Sequence, residues 1–111
     1  MTQKIMRCGG MIAVKPEKLA YYKELHANPW SEINDMIKQC NIQNYSIYYK
    51  EGYLFSYFEY TGNNYEVDMA KMAADPKTQE WWAECVPCLT PLDTRKEGEL
   101  WASMEEVYHL D

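Results

Sequence analysis

Apolar positions recur along this chain with two periods, and each switch between them marks the edge of an element. Residues 4–14 mix apolar and β-branched side chains and read as a first strand, with Gly9 and Gly10 marking a bulge or a close backbone approach. Pro16 fits the first position of a helix, where its missing N–H costs nothing. Leu19, Tyr22 and then Leu25 or His26 follow at helical spacing. His26 falls on the inner edge of that helix near its C-terminus, where the dipole favours a cationic imidazolium. Asn28-Pro29 is expected to break this helix and begin another, with Asn28 as the N-cap and Pro29 in the first turn. Trp30, Ile33 and Ile37 form an apolar stripe ending near Cys40, so the two pieces make one bent arm across a sheet.

The period then drops to two. Residues 44–49 alternate, with Tyr45, Ile47 and Tyr49 on one side. Lys50-Glu51-Gly52 is a turn signal, and residues 53–60 form the returning strand of a hairpin. Gly62-Asn63-Asn64 ends that strand and caps a helix carrying Tyr65, Met69, Met72 and Ala73. Asp75-Pro76 starts the next helix by the same cap-plus-proline device. On it Thr78, Trp81, Trp82 and Cys85 stand at i, i+3, i+4 and i+7, an aromatic face. Pro87 and Pro91 close this helix, residues 89–101 read as an ordered loop rich in charge, and residues 104–110 read as a short final strand.

This order predicts one α+β domain over residues 1–111, a ferredoxin-like βαββαβ sandwich with an antiparallel sheet and helices on one face. The sheet's other face then needs cover, which predicts a homodimer paired sheet to sheet.

Composition narrows the function classes. With 47% hydrophobic and 25% charged residues the chain has a globular balance. The 10 tyrosines and 4 tryptophans against 2 phenylalanines favour a wet pocket or an interface, although tyrosine also suits strands. A net charge of −6, with no basic run, argues against nucleic acid and against an anionic membrane. Met11-Ile12-Ala13-Val14 is too short for a signal-peptide core or a membrane span, so a cytosolic protein with reduced thiols is expected. Cys85-Val86-Pro87-Cys88 matches C-x-x-C, but it sits at the far end of a helix, where the dipole opposes a thiolate. Cys8 and Cys40 do not supply the spacing of a zinc site.

The candidate chemistry lies in Tyr22 and His26. Four residues apart on a helix, they address the same small volume, and imidazole titrates near neutral pH. In the expected topology the first helix lies beside the one carrying Trp81-Trp82, with Tyr45 rising from the sheet beneath. Trp81 and Trp82 point about 100° apart, so one is expected in the core and one in the pocket wall. Aromatic walls and phenol hydroxyls around one base suit a neutral, hydroxyl-rich ligand such as a sugar. The sequence has no Gly-rich phosphate loop and no metal-ligand cluster.

These residues carry a family resemblance over almost the whole chain. Lys15-Pro16-Glu17 leading to Tyr22-x-x-x-His26, then Trp30, then Asn44-Tyr45-Ser46-Ile47-Tyr48 stand in a specific order. Trp81-Trp82 after Asp75-Pro76 and the terminal Glu106-Val107-Tyr108 complete it. The sequence resembles the L-rhamnose mutarotase family. The resemblance implies a dimeric ferredoxin-like domain that interconverts the α and β anomers of a 6-deoxy sugar without a cofactor. It implies His26 as the catalytic proton donor, with Tyr22, Tyr45, Trp81 and Trp82 contacting the sugar. Trp30 would support the turn after His26 and has a weaker claim to sugar contact. From the residues themselves His26 is the acid/base group, with Tyr22 or a bound water as its partner. The substrate is expected to be L-rhamnose or a related sugar such as L-fucose, because the 89–101 loop sets the pocket edge. The competing readings are a non-catalytic ligand-binding dimer and a thiol-redox protein.

Overall fold

The computed structural model describes residues 4–111. Its centre is strand β1, Met6–Val14, which pairs antiparallel with β3, Tyr53–Tyr60, in unbroken register from Met6↔Tyr60 to Ala13↔Tyr53. The glycines of β1 therefore mark a close approach and no bulge in that pairing. A Cβ on Gly10 would stand 2.9 Å from the Ser56 hydroxyl oxygen and 3.5 Å from the Trp101 Cβ. Strand β2, Ile42–Lys50, joins β3 through Glu51-Gly52, whose φ angles of 51° and 90° are both positive, as a type I′ hairpin turn demands.

Strand β2 holds the feature that shapes the site. Its register slips between Gln43 and Ser46, and Asn44 there takes a φ of 49°. Gln43 and Asn44 side chains donate to one Glu59 oxygen at 3.0 and 2.8 Å, and the Tyr57 hydroxyl donates to the other at 2.8 Å. These bonds pin the bulge. The extra residue lets Ile42 face the helices before it and Ile47 and Tyr49 face them after it, opposite buried Ser56 and Leu54.

Four helices cover that face: α1 (Leu19–Ala27), α2 (Ser31–Gln39), α3 (Tyr65–Ala74) and α4 (Pro76–Cys85). Pro16 begins a short 3₁₀ turn, Pro16–Lys18, that leads into α1. Ile12, Val14 and Leu54 pack beneath Tyr22, Ile33 and Trp81 in the main core, while Cys40, Ile42, Tyr60 and Met72 form a second cluster. The expected caps of α3 and α4 are present: Asn64 accepts from Val67 N–H at 3.1 Å, and Asp75 accepts from both Thr78 N–H and its hydroxyl at 2.9 Å.

Two expectations are corrected. Asn28 closes α1 and does not open α2: its N–H and side-chain amide both donate back to the Glu24 carbonyl, at 3.3 and 3.4 Å. Trp30 is the N-cap of α2, without a side-chain bond, so Pro29 lies ahead of the helix. The final strand is also different. Strands β4 (Leu89–Thr90) and β5 (Ala102–Met104) share one edge of β1, giving the order β2-β3-β1-β4 with β5 also on β1. Residues 105–111, His109 among them, carry no regular structure. Two places beyond Gly9↔Met104 the register sets Glu106 opposite Arg7, but there the chain is held by side chains, with Arg7 donating twice to the Glu106 carboxylate at 2.7 and 3.1 Å.

Candidate functional site

A half-open cleft of about 310 Å³ lies between α1 and the edge strand β2. Helix α1 presents one stripe to it, Leu19, Tyr22, Lys23, His26 and Ala27, at i, i+3, i+4, i+7 and i+8. The opposite wall is the stretch of β2 from Ile47 to Tyr49, with the Ile47 and Tyr49 side chains on the cleft side and Leu54 beyond. This volume is at the lower end for ligand pockets, of the order expected for a small molecule.

The Tyr22 phenol is buried, 4% exposed, and the His26 imidazole stacks on it with ring centroids 4.1 Å apart and planes 26° apart. The edge of Trp81 closes the other side of His26 at 5.3 Å, and Trp30 meets Trp81 edge-on at 5.1 Å. Lys77 lies 5.1 Å above the Trp30 ring. Helix α4 is thus locked to α1 through rings, and the Tyr21 hydroxyl adds a short hydrogen bond to the Glu84 carboxylate.

His26 Nδ1 lies 2.9 Å from the Tyr22 backbone carbonyl. A carbonyl only accepts, so Nδ1 carries the proton, and in the neutral ring Nε2 is a free acceptor. Among the described residues Nε2 has no hydrogen-bond partner, and the ring it belongs to lines the cleft. Desolvation pulls the imidazole below its ordinary 6.5, partly offset by the bond to the Tyr22 carbonyl. This corrects the expectation of a favoured imidazolium: burial outweighs the helix terminus, and the resting ring is neutral at neutral pH.

The Tyr22 phenol is raised far above its ordinary value, first by desolvation and then by Tyr45, Cys85 and Cys88 nearby. It stays protonated and can donate. Tyr45 is likewise raised, by desolvation first and then by Cys85 and Tyr65, and its ring leans on Phe58 at 5.6 Å.

Of the residues singled out in the sequence, Tyr22, His26, Trp81 and Trp30 form one chain of rings, while Tyr45, 43% exposed, makes its ring contact with Phe58 and is not among the residues lining the cleft. Trp81 is the core member of its pair, 7% exposed; Trp82 is 39% exposed and makes no ring contact with this cluster. Lys23 and Tyr49 line the cleft without having been picked out as site residues. Tyr49 was already grouped with Tyr45 and Ile47 by alternation, which was the available signal.

The C-x-x-C pair is buried. Desolvation, with Cys88 and Glu84 next, pushes the Cys85 thiol up to about 12, and the Cys88 thiol, also raised, donates to the Glu84 carbonyl at 3.6 Å. Such thiols are poor nucleophiles. Among the described residues no helix is long and apolar enough to cross a membrane.

The fold and cleft define a class first: a small ferredoxin-like α+β domain with a neutral imidazole held among aromatic rings at its cleft. A model of the L-rhamnose mutarotase family matches residues 7–110, and the chain belongs to that family. It is 29% identical to the L-rhamnose mutarotase of Bacillus subtilis over 107 residues, 95% of this chain and 98% of that one. In structure it is similar to an L-rhamnose mutarotase from Formosa agariphila, with a TM-score of 0.72 and 19% identity, covering 96% of this chain and 99% of that one. It is also similar to the tetracenomycin F2 cyclase of Streptomyces glaucescens, with a TM-score of 0.69, 11% identity and coverage of 96% and 97%. Those two likenesses show the fold alone.

Proposed function

We propose that this protein is a sugar mutarotase, acting on L-rhamnose or a close 6-deoxy relative such as L-fucose. The observation that carries the reading is the His26 Nδ1 bond to the Tyr22 carbonyl, which fixes the tautomer and leaves Nε2 as a base on the cleft. Family membership supports the substrate class.

In the proposed reaction Nε2 takes the proton of the anomeric hydroxyl as the bond from the anomeric carbon to the ring oxygen breaks. The ring oxygen takes a proton in the same step, and the open aldehyde forms. After rotation about the adjacent carbon–carbon bond the steps reverse: the hydroxyl attacks the aldehyde from the other face, and His26 returns its proton. That return is the donor role the family resemblance implies. The ring-oxygen proton comes from the Tyr22 hydroxyl, which burial keeps protonated, or from a water in the cleft that this hydroxyl orients. Trp81 steadies the imidazole from its other side, and Trp30 steadies Trp81. Tyr45 and Trp82 are assigned to sugar contact with the family pattern as their support. General acid–base catalysis of this kind contributes typically ~10²–10⁴-fold.

The outer sheet face supports a homodimer. Opposite the helices the register places Met11, Phe55, Tyr57 and Tyr48, the last 66% exposed, with no helix among the described residues packed over them as the helices pack the inner face. A second copy paired sheet to sheet would cover them, and the cytosol is the compartment proposed for the enzyme. The test is proton NMR exchange between the anomeric signals of L-rhamnose and, separately, L-fucose, with wild type and His26→Ala. Acceleration that vanishes in the variant is expected; no acceleration with either sugar would overturn the reading.

A further inference from the structure

Lys23 stands three residues before His26, on the same stripe of α1, and it lines the same cleft. Its Nζ lies 5.0 Å from the centre of the Tyr49 ring across the cleft. Among the described residues no carboxylate comes within ion-pair distance of it, although the chain carries 17 acidic residues against 11 basic ones. An aromatic face attracts an ammonium without occupying its N–H donors in conventional hydrogen bonds. The Tyr49 hydroxyl has no hydrogen-bond partner among the described residues either. Beside His26 the cleft therefore presents an unspent cationic donor and a phenol above an apolar floor of Leu19, Ile47 and Leu54. Those are the complements of a pyranose, which offers hydroxyl acceptors at its rim and C–H groups on its face.

We propose that Lys23 and Tyr49 form the hydroxyl-recognition subsite of this cleft and determine which sugar it accepts. The inference rests on the sugar reading above. With the anomeric carbon at His26, the Lys23 ammonium donates to ring hydroxyls remote from the reacting centre, and the Tyr49 ring holds the ammonium in place. Neither residue exchanges a proton with the reacting atoms. They act on binding, and their removal is felt in KM.

The test pairs kinetics with a direct probe of Lys23. In protein labelled with ¹³C at lysine Cε, the Lys23 signal is assigned by its absence in Lys23→Arg and followed during an L-rhamnose titration. Anomeric exchange is measured for wild type, Lys23→Met, Lys23→Arg and Tyr49→Leu. The expected result is a saturable shift of the Lys23 signal and a KM raised about tenfold in Lys23→Met, the scale of one lost charged hydrogen bond. The kcat should stay within about twofold, Lys23→Arg should recover most of the loss, and the preference between L-rhamnose and L-fucose should change. Accelerated exchange with a Lys23 signal that stays still, or a Lys23→Met variant with wild-type KM, would overturn the subsite alone. A shifting Lys23 signal without any accelerated exchange would keep the subsite and overturn the mutarotase reading. Neither response would overturn both.

Discussion

The imidazole of His26 is held twice by Tyr22: its Nδ1 is bonded to that residue's carbonyl, and its ring lies flat against that residue's phenol. One residue thus fixes both the tautomer and the plane of the base. Replacing His26 by Ala or Gln is expected to lower anomeric exchange by about 10²–10⁴-fold. Circular dichroism should show the fold intact, because the His26 ring is only half-buried.

The pH dependence follows from the lowered His26 value. The active base is the neutral ring, so the rate should be constant at neutral pH and fall on acidification, with its midpoint below 6.5. Folding obeys the same sign: a depressed folded pKa contributes stability above the unfolded value and loses it as pH falls through the folded one. Urea midpoints for wild type and His26→Gln should therefore converge toward acid. An acid limb centred above 6.5 would count against this environment for His26.

Tyr22→Phe separates the phenol from its ring. The stacking on His26 and the burial survive, so stability should change little, while loss of the orienting hydroxyl should cost about tenfold in kcat/KM. Full activity in Tyr22→Phe would remove the hydroxyl from the mechanism. Tyr22→Ala, by contrast, opens the main core and is expected to cost about 3–5 kcal/mol in urea denaturation.

Asp75 offers a test from outside the cleft. Its carboxylate caps α4 through two bonds to Thr78, and α4 carries Trp81 against His26. Asp75→Ala should destabilise by about 1–2 kcal/mol, and Asp75→Asn should recover much of it. The exchange rate should drop only modestly in either.

The thiols give a fifth outcome. Cys85 and Cys88 should react slowly with a disulfide reagent at pH 8 in the folded protein and rapidly in denaturant. Cys88→Ser should leave anomeric exchange within about twofold of wild type. A fast-reacting folded pair would revive redox chemistry.

What the sequence disclosed was chiefly local. Asn64 and Asp75 announce their helices because a cap is decided within three residues, and Glu51-Gly52 announces its hairpin for the same reason. Asn28 misled because an asparagine before a proline serves the end of one helix as readily as the start of the next, and only the direction of its amide decides. Residues 104–110 read as strand because Val107, Tyr108 and Leu110 are apolar, yet all three are more than three-quarters exposed. Tyr22 and His26 were legible as a pair because helical spacing alone brings them together. Lys23 and Tyr49 were not, since their meeting depends on how α1 lies over the edge of the sheet. Nor was the neutrality of His26, which comes from burial by α4 and the core.

The slip at Asn44 has a consequence for how this sheet can change. Alternation along a strand has only two phases, and the added residue shifts β2 from one to the other partway along. Deleting Asn44 would close the bulge and leave every later residue on its present face. Pairing β2 from Ile42 onward with Asn44 kept and no bulge would instead reverse the parity of everything after it up to the hairpin. Tyr45, Ile47 and Tyr49 would turn outward together, and Ser46, Tyr48 and Lys50 would turn in. Losing the bulge without losing a residue would thus strip the cleft of its sheet-side wall and recast the outer face, so the chemistry of two surfaces hangs on a single count.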